Sequence, residues 1–422
     1  MAADILEVTI TSIGAQGDGI ASHDGVPVFV PFAMPGDVAR VIVKDKRRNG
    51  IYSELLEIVS ESESRRAPVC AYFGACGGCQ LQYMDAKTYS GWVKNRAVLA
   101  LKQHGFDDVP VLDPVITPPA SRRRVALKAL KVAAGVVLGF NERQSHQIVD
   151  VTACPVTREE LTALFEPLRR VLDAVFEAKM AATVHMTLTA SGVDMMIDAP
   201  MALGLAARER LVEFAHSQDV ASLHWRDQGF LDPVAIRREP VMDFAGVKVP
   251  LPPAAFIQAT DEGEAALVKA VVDGCRGFGR VADLFSGIGT FTLPLAREHQ
   301  VMAAEGARDA LDALKAGVLV APDLKQVITR HRDLFRQPIS ATELEKVDAV
   351  VFDPPRAGAA AQVAEVAKSD VKRVVAVSCN PNTFSRDART LADSGYVLEG
   401  VLPVDQFLWS SHLELVGTFT RL

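Results

Sequence analysis

Short apolar runs separated by turn residues open the chain. Residues 5–60 contain LEVTI, VPVFV, VARVIV and IYSELLEIV, and Gly, Asp and Pro are frequent in the segments between them. Runs of this length, bounded by such segments, are typical of β-strands. About five short strands in so short a stretch predict a small barrel of the OB type over residues 1–60.

Over residues 61–240 the apolar positions follow helical spacing in some segments and strand-like spacing in others. Residues 86–104 have the period of a helix, and KALKVA and GVVLGF read as a hairpin that turns near Ala134 and Gly135. Beyond them the pattern indicates helices such as TREELTALFEPLRRVLDAVFEA and strands such as TVHMTLTA and VDMMIDA. This pattern predicts a central α+β domain.

From about residue 241 strand-like runs alternate with helical segments. The strand-like runs are RVADLF, QVMAAEGA, KQVITRHRD, VDAVVFDPP, VKRVVAVSCN and VGTFTRL. Regular alternation of strand and helix is typical of an α/β fold with a largely parallel sheet. The sequence therefore predicts a doubly wound, Rossmann-like domain over residues 241–422.

Composition narrows the class of protein. The chain has 422 residues, of which 49% are hydrophobic and 23% charged, as in a globular protein of two or three domains. Six cysteines are too few for a disulfide scaffold. The start, MAADILEVTI, is unlike a signal peptide, and no apolar run reaches the roughly 18 residues of a membrane span. We expect a cytoplasmic protein without a membrane partner.

The charge balance argues against a general nucleic-acid binder, because the net charge is −7. Its distribution along the chain changes that conclusion. Residues 71–154 carry 10 Lys and Arg against 6 Asp and Glu, whereas residues 155–230 carry 7 against 11. The loop KDKRRNG adds positive charge to the barrel, although a solvated hairpin tip explains it equally well. RNA binding through a local basic patch is compatible with this distribution.

A glycine turn follows the first strand of the C-terminal domain, in VADLFSGIGTFTLPLA. Gly287 and Gly289 let the backbone approach a ligand closely. The turn lacks the third glycine of a dinucleotide-binding fingerprint. Asp283 ends this strand, Glu305 follows the second strand with a spacing suited to a ribose, and Asp333 ends the third. A positively charged nucleoside such as S-adenosylmethionine (SAM) fits these acids better than NAD. The alternative is that the turn is an ordinary β–α connection that binds no ligand.

Four further residues lie beside later strands of the same sheet. Asp353 lies in VVFDPPRAG, where two prolines end the strand, and Cys379 lies in VVAVSCNPNTF. Glu414 and His412 lie in FLWSSHLELVGTF, just before the last strand. A Cys and Glu pair at one sheet edge suggests that the thiolate adds covalently to a substrate and that the carboxylate then removes a proton from it. A buried structural cysteine and a surface carboxylate are the alternatives.

Four cysteines form a separate group. Cys70, Cys76 and Cys79 have the spacing C-x5-C-x2-C, and Cys154 follows in VDVTACPV. Four thiolates can hold either a [4Fe–4S] cluster or zinc, and the spacing alone leaves both open. Cys275 stands apart and is expected in the core.

The motifs DLFSGIGTFTLPLA, FDPPRAG, SCNP and SSHLE, in this order, resemble those of the class I SAM-dependent RNA (uracil-5-)-methyltransferases. The resemblance covers nearly all of residues 241–422, and FIQAT before the sheet also matches. Thr290 and Asp333 stand where Asn is frequent in the family. By motif, the resemblance places SAM binding on Gln258, Phe285, Thr290, Glu305, Asp333 and Asp353.

The resemblance also implies a mechanism. Cys379 would add to C6 of uracil, so that C5 gains enolate character and attacks the methyl group of SAM. Glu414 would then remove the C5 proton, and elimination would release Cys379. Asp353 would hold the pyrimidine ring or the amino group of SAM. The target base has to leave its stack to reach such a pocket.

The N-terminal half resembles the 23S rRNA branch of the family, the RumA type. That branch carries this cysteine spacing with a [4Fe–4S] cluster and an N-terminal TRAM barrel. The resemblance implies a cluster on Cys70, Cys76, Cys79 and Cys154, a TRAM barrel over residues 1–60, and 23S rRNA as substrate. Enzymes acting on tRNA are expected to lack both features. A radical SAM protein is the sharper alternative for the cluster, but its typical spacing is C-x3-C-x2-C.

Three alternative functions stay open at this point. The first is methylation of a tRNA uridine. The second is an amino-group methyltransferase, which needs no thiol at the position of Cys379. The third is an RNA-binding or assembly factor without catalysis, against which the Cys379 and Glu414 pair argues. In the leading interpretation RNA is the partner, and the sequence gives no sign of an obligate protein partner.

Overall fold

The computed structural model describes residues 4–421. The N-terminal unit is a six-stranded sheet with the order β1-β5-β6-β4-β3-β2. Its apolar side chains, among them Val8, Val28 and Val41, share one core. The predicted strands are confirmed, and two short strands join them. The strands are β1 (Ile5–Thr9), β2 (Ser12–Ile13), β3 (Gly19–His23), β4 (Val26–Val30), β5 (Val38–Arg47) and β6 (Gly50–Ser60).

A helix and a short strand connect this unit to the rest of the chain. Helix α1 (Ala86–Lys102) begins where the side chain of Asp85 accepts a hydrogen bond of 2.8 Å from the amide of Thr88. The buried face of α1 packs into the core of the C-terminal sheet, and strand β7 (Val115–Ile116) joins the edge of that sheet. Residues 86–116 thus pack on the C-terminal unit, and the division of the chain at residues 60 and 240 stays a proposal.

The central unit is a seven-stranded sheet with the order β10-β9-β8-β11-β12-β13-β14. The predicted hairpin is confirmed as β8 and β9, while the long helix predicted from residue 157 is divided in two. The helices pack on one face of the sheet. The elements are β8 (Arg124–Val132), β9 (Gly135–Asn141), β10 (Ile148–Asp150), α2 (Glu159–Thr162), α3 (Phe165–Val175), β11 (Ala181–Thr189), β12 (Gly192–Asp198), α4 (Leu205–Ser217), β13 (Ser222–Asp227) and β14 (Phe230–Ile236).

After the hairpin β15 (Val241–Phe244) and β16 (Val247–Pro250), the chain forms the predicted doubly wound sheet. Its order is β19-β18-β17-β20-β21-β23-β22-β7, and β23 runs antiparallel to both of its neighbours. The elements are α5 (Asp261–Gly274), β17 (Arg280–Leu284), α6 (Thr292–Leu295), β18 (Gln300–Glu305), α7 (Arg308–Leu319), β19 (Val327–His331), α8 (Ala341–Leu344), β20 (Ala349–Phe352), α9 (Ala360–Lys368), β21 (Arg373–Ser378), α10 (Pro381–Asp393), β22 (Tyr396–Asp405) and β23 (Glu414–Arg421).

The order of this sheet reverses beside β17, with β18 on one side and β20 on the other. In such sheets the carboxyl ends of the strands next to the reversal form a crevice that binds ligands. A ligand site is therefore expected at the loops that follow β17, β18, β20 and β21. Over residues 4–421, no helix is long and apolar enough to cross a membrane.

Candidate active site

A cavity of about 640 Å³ lies at the carboxyl ends of these strands. Its volume is within the range of pockets that bind nucleoside-sized ligands. All eight residues predicted for SAM binding and catalysis line it, although they come from seven separate segments of the chain. They are Gln258, Phe285, Thr290, Glu305, Asp333, Asp353, Cys379 and Glu414.

The glycine turn forms one wall of the cavity. Phe285 has a positive φ of 62°, which a side chain other than glycine adopts only under local strain. Gly289 has a φ of 103°, which favours glycine, and a Cβ there would lie 2.6 Å from the end of the Leu314 side chain. The carboxylate of Glu305 accepts hydrogen bonds from the amides of Gly287 (2.9 Å) and Ala307 (2.7 Å). These bonds fix Glu305 beside the turn and leave lone pairs for a pair of ligand hydroxyl groups.

An aromatic slot continues from this wall. The rings of Phe285 and Phe335 lie 5.4 Å apart, and the carboxylate of Asp333 accepts a hydrogen bond of 3.0 Å from the amide of Phe335. A flat base that packs against these rings, with its polar edge towards Asp333, would suit this slot. Asp283 lies elsewhere: it is buried against Thr292 and does not line the cavity.

A buried chain of amides fixes the direction of Gln258. The amide of Ala259 donates to Oε1 of Gln406 (2.9 Å), and Nε2 of Gln406 donates to Oε1 of Gln258 (2.7 Å). Nε2 of Gln258 then donates to Oδ2 of Asp353 (3.1 Å). Because a backbone N–H can only donate, the first bond determines the polarity of the others. The cavity therefore presents an N–H group of Gln258 beside a carboxyl oxygen of Asp353.

Burial dominates the electrostatics of the cavity. It raises the pKa of Asp353 to about 7. Burial and then the charge of Asp353 raise the pKa of Glu414 to about 8. Burial, followed by the charges of Glu414 and Asp353, raises the pKa of the Cys379 thiol to about 11. A positively charged ligand would favour the ionised form of all three groups.

Several lining residues were not among the predicted site residues. Phe256 is 63% exposed at the mouth of the cavity, and the guanidinium of Arg124 lies 5.1 Å from its ring. Arg356, Phe407 and His412 also line the cavity. Phe256, Arg356 and His412 lie inside the motifs FIQAT, FDPPRAG and SSHLE, which were available signals. Gln406 had no such signal, because its importance depends on its contact with Gln258.

Cys70, Cys76, Cys79 and Cys154 line a second cavity, of about 300 Å³. Burial is the main cause that raises the pKa of Cys79 to about 12, and the other three thiols add to it. The four predicted ligands therefore border one cavity. Within residues 4–421, however, no three metal-binding side chains converge closely enough to hold an ion as they stand. The cluster stays a prediction, and Cys275 is confirmed as a core residue.

Comparison with known proteins identifies the family. The model of the TRAM domain matches residues 3–56, and that of tRNA (Uracil-5-)-methyltransferase matches residues 254–421. A Yersinia enterocolitica protein named 23S rRNA (uracil(1939)-C(5))-methyltransferase RlmD is 32% identical, over 99% of this chain and 95% of its own. The chain belongs to the RNA (uracil-5-)-methyltransferase family. The resemblance drawn from the motifs, including the TRAM domain, is confirmed.

Other members of the RNA (uracil-5-)-methyltransferase family match the whole chain. A Caulobacter vibrioides protein named as an uncharacterized RNA methyltransferase is 44% identical over 98% of this chain and 100% of its own. The Pyrococcus abyssi tRNA (uracil-54, C5)-methyltransferase, solved with S-adenosyl-L-homocysteine, is 21% identical and superposes with a TM-score of 0.76. The superposition covers 98% of this chain and 99% of the Pyrococcus chain.

The Pyrococcus structure corrects one expectation. Enzymes acting on tRNA were expected to lack the N-terminal barrel, yet that protein shares the architecture over nearly its whole length. The barrel therefore does not separate rRNA enzymes from tRNA enzymes. As an RNA (uracil-5-)-methyltransferase, the chain is an enzyme that modifies RNA, and its substrate has to be argued on other grounds.

Proposed function

We propose that this enzyme transfers a methyl group from SAM to C5 of a uridine in 23S rRNA. The observation that carries the proposal is the common cavity of Cys379, Glu414, Asp353 and Gln258. It supports a single site in which a pyrimidine and a nucleoside methyl donor lie side by side. The glycine turn, Glu305 and Asp333 would hold the donor. Gln258 and Asp353 would hold the target base beside Cys379 and Glu414.

The base-binding end of the cavity is suited to uracil. Uracil presents a carbonyl oxygen beside the N3–H group, and these match the N–H of Gln258 and the carboxyl oxygen of Asp353. Cytosine presents an amino group and an unprotonated nitrogen at the same positions, so both hydrogen bonds would be lost. The orientation of Gln258 by Gln406 thus supports uridine over cytidine as the target.

Cys379 and Glu414 would have different roles in the reaction. The thiolate of Cys379 would add to C6, and the electron pair released at C5 would take up the methyl group that SAM supplies, with S-adenosylhomocysteine as the leaving group. Glu414 takes the proton from C5, and the C6–S bond then breaks to restore the aromatic ring and the thiolate. The raised pKa of Glu414, about 8, suits a base that accepts a proton from carbon near neutral pH. SAM supplies the methyl group, and its positive sulfonium would favour ionised Cys379 and Glu414.

The choice of 23S rRNA rests on sequence likeness to the Yersinia enzyme along nearly the whole chain. A tRNA uridine is the alternative, supported by the shared architecture of the Pyrococcus tRNA enzyme. Methylation of an amino group has less support, because Cys379 would have no task there. A catalytically silent RNA-binding factor has less support for the same reason.

Mapping of 5-methyluridine tests the proposed function. Total RNA from cells with and without this protein would be separated into rRNA and tRNA, digested and analysed by mass spectrometry. We expect one or more 23S rRNA fragments to lose 14 mass units, about the mass of one CH₂ group, and to regain them when the gene is restored. A loss confined to tRNA would select the alternative substrate, and no loss in either RNA would refute the proposal.

The cysteine cavity supports a resident anionic metal centre. Four thiols border one space, and a zinc ion or a [4Fe–4S] cluster held by four thiolates would be negatively charged. Arg122 also borders the cavity, packs 5.2 Å from the ring of Phe407 and has no carboxylate partner within residues 4–421. A guanidinium placed there would balance the charge of the thiolates. We propose that Cys70, Cys76, Cys79 and Cys154 hold a [4Fe–4S] cluster that stabilises this region.

Metal analysis tests the cluster. Anaerobically purified protein should be brown and contain about four iron atoms per chain. Cys79→Ser should lose the colour and most of the iron, whereas Cys275→Ala, which removes a core thiol distant from the cavity, should keep both. A preparation that contains zinc alone would contradict the cluster and leave the methyltransferase function untouched.

A further inference from the structure

A third cavity, of about 750 Å³, lies between the N-terminal unit, helix α1 and the catalytic edge of the sheet. We call it the barrel cleft. Strand β2 and the residues that follow it up to Gln16 form one wall, and α1 forms another. Cys379 lies at the inner end, where the cleft meets the catalytic cavity. A substrate that reaches Cys379 through this cleft would contact both the barrel and α1.

The lining of the barrel cleft is unusual for so acidic a chain. Within the described residues 4–421, no Asp or Glu lines it, although the sequence has 52 acidic residues. The polar lining consists of Arg96 and Arg356 with neutral side chains such as Gln16, Asn95 and Asn382. Such a lining attracts an anion and offers hydrogen bonds without a carboxylate to repel it.

Arg96 is the least satisfied of these groups. Its guanidinium lies 4.9 Å from the ring centre of Trp92, one turn earlier on α1. Trp92 is itself fixed, because its indole N–H donates a hydrogen bond of 3.3 Å to the carbonyl of Gly14 in the barrel. Nε and Nη1 of Arg96 are buried and have no hydrogen-bond partner among the described residues. Sealed N–H groups without a partner destabilise the charged guanidinium, and an anion in the cleft beside Arg96 would compensate that charge.

The cations of the barrel show the opposite arrangement. Arg40 pairs with Glu7 and Glu57, and Lys46 pairs with Asp4 at 3.1 Å. In the loop KDKRRNG, the partner of Arg47 is Asp45. The positive charge expected on that loop is thus largely balanced by carboxylates. Unpaired positive charge lies instead in the barrel cleft.

We propose that Arg96 binds a phosphodiester of the RNA strand beside the target uridine, in the barrel cleft. The inference rests on the proposed function, since it takes the occupant of the cleft to be RNA. When a uridine occupies the catalytic cavity, its backbone has to continue outward past Cys379 into a neighbouring space. The third nitrogen of the guanidinium, Nη2, is not sealed from solvent and can donate to a phosphate oxygen, and stacking on Trp92 holds the group in place. The barrel would then serve as a wall of the cleft.

The test compares Arg96→Ala with Arg40→Ala, which brings the same change in net charge at an ion-paired barrel site. RNA affinity would be measured with an unmodified 23S rRNA transcript over a range of salt concentrations. For Arg96→Ala we expect affinity to fall about tenfold and the slope of log K against log salt to become shallower by about 0.7 to 1. Arg40→Ala should change neither quantity.

Two further measurements exclude trivial explanations. Binding of S-adenosylhomocysteine should be unchanged in Arg96→Ala, which shows that the catalytic cavity is intact. Arg96→Lys, which keeps the charge without the planar fork, should restore the salt slope but only part of the affinity. If Arg96→Ala and Arg40→Ala give the same affinity and slope while the wild-type enzyme forms 5-methyluridine, the inference is wrong. If the wild-type enzyme forms none, the proposed function has failed separately.

Discussion

Replacement of Cys379 by alanine should abolish the formation of 5-methyluridine, by a factor of about 10⁴ or more. C5 of uracil is a weak nucleophile until a thiolate has added to C6, and no other thiol lines the catalytic cavity within the described residues. Incorporation of a labelled methyl group from SAM into transcribed rRNA would measure the loss. Binding of S-adenosylhomocysteine should persist, because the side chain of Cys379 is small and the donor-binding residues are unchanged.

Cys275→Ala provides the matched control for this variant. It removes a thiol that is buried in the core away from the cavity, so methyl transfer should persist at a rate close to that of the wild type. Appreciable turnover by Cys379→Ala would rule out covalent catalysis by this residue. It would favour a mechanism, such as amine methylation, that needs no thiol.

Replacement of Glu414 by glutamine should trap the enzyme on its RNA. Once Cys379 is ionised, its addition to C6 and the methyl transfer require no further base, but release of the product requires removal of the C5 proton. Glutamine has nearly the shape of glutamate and cannot accept that proton. A covalent adduct of protein and RNA should therefore accumulate, visible as a band of reduced mobility on a denaturing gel.

The double variant Cys379→Ala/Glu414→Gln should form no adduct, since the bond would run through the missing sulfur. Glu345→Gln, an exposed carboxylate outside the cavity, should behave like the wild type. Absence of any trapped species in Glu414→Gln, under conditions where the wild type is active, would count against its role as the base.

The pH dependence of product release follows from the titration of Glu414. Burial raises the pKa of Glu414 to about 8, so the carboxylate that acts as base accumulates only as the pH rises towards and past that value. The rate of product release in the wild-type enzyme should increase over this interval. A bound sulfonium would lower the pKa and move the increase to lower pH.

The sequence predicted most of the fold because strand and helix patterns are local. Alternating apolar positions identified β1, β4, β5 and β6, and continuous apolar runs identified the parallel strands of the C-terminal sheet. Strand β22 was not predicted. Helix α1 was predicted as a helix but not as part of the C-terminal core, since the hydrogen-bond partner of its Tyr89, Asp405, lies 316 residues later.

The sequence alone identified the family of the enzyme. The order of DLFSGIGTFTLPLA, FDPPRAG, SCNP and SSHLE identified the family, and each motif ends a strand or precedes one. Because the carboxyl ends of parallel strands share one edge of a sheet, these motifs had to meet in one cavity. The cavity follows from the pattern of residues and from the geometry of the sheet.

Only the tertiary structure decided how the groups of the site are oriented and charged. The amide of Gln258 is directed by Gln406, which lies 148 positions away. Carboxylates form ion pairs with most cations of the barrel, whereas Arg96 in the barrel cleft forms none among the described residues and interacts with the buried Asp405 only at longer range. Hydrogen bonds and ion pairs of this kind depend on which side chains packing brings within about 3 Å of each other. That information is absent from the spacing of residues along the chain, because it arises only when distant segments pack together.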